Sequence, residues 1–153
     1  KCDALKLEGG KKIYKIIRNL VKNNIPVMGH LGLLPQSAKN FKFKGTKNYE
    51  REKILKEAKL LEAAGVFSMV LECIESSLAR AITKQIKVPT IGIGASSNCD
   101  GQILVLDDLI GLNTIKVRFI KKYINIRKEI SKAVSTYARE VKGKKFPLKK
   151  HSY

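Results

Sequence analysis

Val66–Cys73 reads VFSMVLEC, apolar throughout except for a serine near its start and a glutamate near its end. The run has a strand's length, and it does not alternate. Continuous apolar character is what a strand needs when both of its faces are covered, as in a parallel sheet. Immediately upstream, Ile54, Leu55, Ala58 and Leu61 fall on one stripe of a helix over about Asn48–Ala64, with Gly65 as its stop. Downstream, Ser76 or Ser77 can cap a helix running to about Gln85.

The same unit repeats in both directions. Strands are expected at Ala4–Glu8, Ile25–His30, Val88–Ala95 and Gln102–Asp108. Ile13, Ile16, Ile17, Leu20 and Val21 share a helical stripe, and so do Ile126, Ile130, Ala133, Val134, Tyr137 and Val141 near the end. Alternating strand and helix means α/β with parallel strands. Periodicity does not separate an open doubly wound sheet from part of a (β/α)8 barrel. With 153 residues and 44% hydrophobic content, one domain with a proper core is expected over residues 1–153.

Composition excludes several function classes. The longest apolar runs are strand-length, so a membrane span is not expected. Residue 1 is Lys and charge follows closely, unlike a secretory signal; the absence of an initial Met suggests processing or a longer parent chain. Cys2, Cys73 and Cys99 are odd in number and widely spaced, with no CxxC. A reducing cytoplasmic setting fits better than a disulfide framework or structural zinc. The net charge of +18 raises nucleic-acid binding. Yet the lysines lie beside Ile and Asn throughout, as A/T-rich codons would produce. The one dense patch, Lys142–Lys150, holds a single Phe and no stacking platform.

A few polar residues sit where strands should be apolar. Lys6 and Glu8, two apart, point to one face, while Leu5 and Leu7 point to the other. Two solvated charges on an exposed strand end would look the same. Glu72 closes the apolar run quoted above, and burial of an unpaired carboxylate demands a partner, a pocket or a raised pKa; capping of the next helix is the structural alternative. His30 also ends a strand, between Gly29 and Gly32, with Pro35 fixing the following turn. If the strands are parallel neighbours, ammonium, carboxylates and imidazole converge on one rim, where α/β enzymes keep their chemistry.

TIGIGASSNCDGQILV (Thr90–Val105) adds small residues and one acidic exit. It lacks GxGxxG, and no Lys-Ser/Thr follows its glycines, so neither a dinucleotide fingerprint nor a Walker loop is present. The glycines are expected to thin the strand wall so that a flat ligand can approach the backbone.

LKLEGG, IPVMGHLGLLPQS, LEAAGVFSMVLECI, VPTIGIGASSNCDGQILVLDDLIG and FPLKKHSY occur in this order and spacing. Together they resemble the ketopantoate hydroxymethyltransferase family from Ala4 to the last residue. The resemblance implies a (β/α)8 TIM barrel, of which this chain matches about the last five βα units plus C-terminal helices. It implies transfer of a one-carbon unit from 5,10-methylenetetrahydrofolate to 3-methyl-2-oxobutanoate, giving 2-dehydropantoate for pantothenate and coenzyme A synthesis. By the same resemblance Glu72 is the general base and Lys6 faces the substrate carboxylate, with His30 orienting or hydrogen-bonding. Glu8 is a magnesium (Mg2+) ligand, alongside two aspartates from the units not matched here. A cytoplasmic homo-oligomer, often a decamer, is implied too.

Four departures from the family pattern stand out. Ser96 replaces a usual glycine, Glu75 a proline and Leu34 a threonine, and the loop Lys39–Gly45 lacks a glycine pair. The competing expectations are an inactive relic of such an enzyme, whose open sheet would expose an edge, and a basic nucleic-acid-binding module. A barrel acting on phosphoenolpyruvate-like substrates would not be expected to share both GHLGLLPQ and DGQILV. An intact mass of the gene product above 17.1 kDa would indicate residues before Lys1.

Overall fold

The computed structural model describes residues 2–38 and 42–153. The first three residues of the Lys39–Gly45 loop therefore lie outside the described residues. Two compact units divide at residue 103. In the first, five strands, β1 (Leu5–Glu8), β2 (Val27–Gly32), β3 (Ser68–Glu72), β4 (Thr90–Ile93) and β5 (Gly101–Gln102), form one sheet in the order β1-β2-β3-β4-β5. Every neighbouring pair is parallel.

Helices α1 (Tyr14–Lys22), α2 (Asn48–Ala64) and α3 (Ser76–Gln85) connect β1 to β4. All three send side chains into a single cluster: Ile17 from α1, Ile54, Ala58 and Leu61 from α2, and Leu78, Ala79 and Ile82 from α3 meet Val27, Leu31, Met69 and Leu71 of the sheet. Strands in sequential order with all three connecting helices on one face are a segment of a (β/α)8 barrel. A doubly wound sheet would reverse its strand order and carry helices on both faces.

Local signals explain most boundaries. Gly65 closes α2 in the left-handed conformation, φ 95°, and donates its N–H to Glu62 and Leu61 carbonyls. In α1, Ile17 is fully buried whereas Ile16 turns outward. Neither Ser76 nor Ser77 caps α3. Glu75 does, its carboxylate accepting from the Ser77 and Leu78 N–H groups at 3.0 and 3.1 Å. The strand expected over Gln102–Asp108 is also corrected. Pairing stops at Gln102, and Leu106–Leu109 is a single helical turn, α4. Asp107 and Asp108 lie in its first turn, where carboxylates favour helix over strand.

The second unit contains α4, helix α5 (Ile126–Lys142) and a closing 3-10 turn at Lys149–His151. Asn125 caps α5 by accepting from Lys128 N–H at 3.1 Å. Tyr137 and Phe146 meet edge to face, with ring centroids 5.4 Å apart. The apolar stripe of α5 is where the sequence puts it, but Ile130, Val134, Tyr137 and Val141 are all exposed. Among the described residues, no helix is long and apolar enough to cross a membrane.

Candidate active site

Strand register decides what meets at the sheet's C-terminal end. Glu8 lies opposite His30, His30 opposite Val70, and Gly32 opposite Glu72. Residues in register share a face, as do residues two apart. Lys6, Glu8, His30 and Glu72 therefore all project from the face opposite the helices. The four residues expected from the sequence do come together.

His30 stands at the centre. Its side chain is 1% exposed, with Nε2 3.2 Å from Glu72 Oε2 and Nδ1 3.8 Å from Glu8 Oε1. Neither approach has hydrogen-bond geometry, so both ring nitrogens lack a partner among the described residues. Buried polar groups are normally satisfied, so the ring retains hydrogen-bonding capacity for a bound group. Burial, helped by the Lys6 charge and opposed by Glu8 and by the nearby Leu33 backbone, holds the imidazole below its ordinary pKa. His30 is thus a neutral imidazole in a largely dry setting.

Burial also raises the Glu72 carboxyl above its usual range; Lys6 pulls the other way and Glu8 adds to the rise. The alternative role for Glu72, capping the next helix, is already filled by Glu75. Among the described residues nothing donates a hydrogen bond to the Glu72 carboxylate. A carboxylate with a raised pKa and free lone pairs at a strand's C-terminal end can accept a proton from carbon. Lys6 is exposed on the same face, and its charge bears on both His30 and Glu72.

Glu8 is divided between two tasks. Its Oε2 accepts from the Gln36 N–H at 3.2 Å, tying down the loop after β2, while Oε1 has no hydrogen bond among the described residues. One free carboxylate oxygen suits magnesium, which keeps waters and substrate oxygens in its remaining positions. Among the described residues, no group of three or more His, Cys, Asp or Glu gathers to hold a metal unaided.

The Thr90–Val105 stretch has a different role from the one its glycines suggest. Gly92 lies opposite Leu71, on the helix-covered face, and a Cβ there would come within 3.0 Å of the Gln102 amide and 3.2 Å of Cys99 Sγ. Its bareness serves packing within the chain, on the side of the sheet away from Glu72. Asp100 is likewise structural: Oδ2 accepts from both the N–H and hydroxyl of fully buried Thr90, at 2.8 and 2.9 Å. These bonds hold its carboxyl below the ordinary range.

The departures Ser96 and Glu75 fit without disturbing Glu72. Ser96 Oγ accepts from Asn98 N–H at 3.2 Å and from the Ser76 hydroxyl at 3.2 Å, joining the loop to the start of α3. Glu75 adds an ion pair with Arg51 Nη1 at 2.6 Å. Leu34 lines a cavity of about 220 Å³ with Gly9, Gly32, Lys53 and Glu57. Sequence reading misses Cys73, which directly follows Glu72 and has a left-handed backbone, φ 49°. No residue-type signal marks it, because only tertiary bonds impose that conformation.

The family model for ketopantoate hydroxymethyltransferase matches residues 1–149. A protein of Pelagibacter ubique (strain HTCC1062), named 3-methyl-2-oxobutanoate hydroxymethyltransferase, is 67% identical over all of this chain and 60% of its own length. Proteins of the same name from Francisella tularensis subsp. novicida (strain U112) and Chlorobium phaeobacteroides are 49% and 47% identical. They align with 98% and 99% of this chain, over 58% and 56% of their own lengths. The chain thus spans about three-fifths of these relatives, a share that includes the strand ends carrying Lys6, Glu8, His30 and Glu72. Sequence blocks, barrel-type topology and family match agree: the chain belongs to the ketopantoate hydroxymethyltransferase family.

Proposed function

We propose that the protein carrying this chain adds a one-carbon unit from 5,10-methylenetetrahydrofolate to C3 of 3-methyl-2-oxobutanoate, forming 2-dehydropantoate. The observation that carries the reading is His30, buried with both nitrogens unpartnered between two carboxylates at the strand ends. A 2-oxo acid supplies what this arrangement lacks. Its carboxylate answers the Lys6 ammonium, its oxygens offer acceptors to the imidazole, and its acidic C3–H faces a carboxylate base.

Glu72 takes the C3 proton in this scheme, and its raised pKa brings it closer to a carbon acid than an ordinary glutamate would be. His30, neutral and fixed by burial, orients the substrate. Magnesium, with Glu8 among its ligands, would withdraw electron density from the keto group and acidify C3. A homo-oligomer and a cytoplasmic setting belong to the same proposal. The latter is supported by three cysteines of odd number and wide spacing with no CxxC.

The test is solvent-deuterium exchange at C3, followed by NMR without the folate. Glu72→Gln should slow exchange on the order of 10²- to 10⁴-fold, the usual worth of a positioned base, while ketoacid still binds. Undiminished exchange in that variant removes Glu72 from the base role.

A further inference from the structure

We propose that the left-handed backbone at Cys73, rather than its side chain, positions Glu72, in a backbone latch closed by Gly32. This deepens the proposed function and rests on it only for the identity of the reaction.

Three segments converge on the peptide units around Glu72. The Glu72 carbonyl accepts from Leu33 N–H at 2.8 Å, at the end of β2. The Cys73 N–H donates to the Ile93 carbonyl at 2.9 Å, at the end of β4. The Cys73 carbonyl accepts from Lys44 N–H at 2.8 Å, and Glu75 N–H donates to the Lys44 carbonyl at 2.8 Å. The first bond requires Gly32, whose φ is 98° and whose Cβ, if present, would lie 2.1 Å from the Glu72 oxygen.

Between these anchors Cys73 takes φ 49°, a left-handed conformation that a residue with a Cβ adopts only under constraint. Strain held by surrounding bonds at a functional strand end is one way a fold fixes a side chain's direction. Here it ends β3 at Glu72 and leaves that side chain beside His30 Nε2. Burial and the Glu72 charge push the Cys73 thiol pKa up to about 11, which disfavours a thiolate there.

Backbone and packing roles predict opposite mutational orders. Cys73 is buried, so a packing role favours Val, which keeps volume, over Ala and then Gly. A left-handed backbone role favours Gly over Ala, and Ala over β-branched Val. The experiment takes the whole protein with Cys73→Gly, Cys73→Ala and Cys73→Val, and measures melting temperature together with kcat and KM for C3 exchange.

The latch predicts that Cys73→Gly retains kcat and melts no lower than Cys73→Ala. Cys73→Val should lose on the order of 10²-fold in kcat with KM unchanged, as for a misplaced reacting group. Retention of kcat in Cys73→Val with loss in Cys73→Gly would overturn the proposal. If Cys73→Val does not fold, the Gly-against-Ala order decides. Absence of exchange in the wild type would sink the proposed reaction instead; the melting order and a crystal structure of Cys73→Val, showing Glu72 displaced or in place, would still judge the latch.

Discussion

In the proposed reaction Glu72 carries opposite demands from catalysis and from folding. Burial raises its carboxyl pKa, so the unfolded chain ionises first as pH rises. Its contribution to stability is therefore fully present below the ordinary carboxylate range and is lost as pH climbs through the raised value. Glu72→Gln, which abolishes the charge, should melt at or above the wild type at neutral pH in divalent-free buffer, by differential scanning calorimetry, even as exchange collapses. Gly32→Ala should lower stability instead. Its left-handed backbone alone costs roughly 1–3 kcal/mol with a Cβ present, and the added methyl meets the Glu72 carbonyl. Chemical denaturation should show the loss.

The helix α3 is anchored by a side chain the family pattern does not call for. Glu75 accepts from the Ser77 hydroxyl and from two N–H groups of the first turn and pairs with Arg51, and these bonds depress its pKa to about 2. Since the folded value lies below the ordinary one, the stabilisation holds above the normal carboxylate range and disappears as pH falls from about 4.5 through about 2. Glu75→Ala should cost about 1 kcal/mol at neutral pH, the usual worth of an N-cap, and nothing at the acid end. Urea titrations across that window would show the convergence. Strands β4 and β5 depend on Asp100 in a similar way. Asp100→Ala leaves the buried Thr90 N–H without its acceptor, which costs about 1–3 kcal/mol. Catalysis per folded molecule should not change.

At the scale of the molecule, charge and site separate. The +18 net charge predicts non-specific polyanion binding that weakens steeply with salt. Fluorescence anisotropy with DNA duplexes of different sequence should show that slope and no preference among them. A sequence preference would favour the nucleic-acid reading. The proposed function makes the site depend on metal instead: on that reading, stripping magnesium with EDTA should abolish C3 exchange, and returning it should restore the rate. Exchange that persists in EDTA would leave Glu8 with only its bond to Gln36 N–H.

The sequence by itself determined the places of the first four strands, the parallel α/β class and the four polar residues to watch. Those follow from hydrophobic period and from the cost of burying Glu72 or His30 without a partner, both local properties of the chain. Tertiary structure alone decided which face each residue serves. Sequential strand order with one-sided helices selected the barrel, and register set Glu8, His30 and Glu72 side by side. It also turned Gly92 away from them toward Gln102 and made Asp100 a structural clasp. It moved the α3 cap from the serines to Glu75, because Arg51, distant in sequence, pairs with that carboxylate. The left-handed turn at Cys73 lay furthest from sight, since hydrogen bonds from β4 and the Lys44 loop impose it against the residue's own preference.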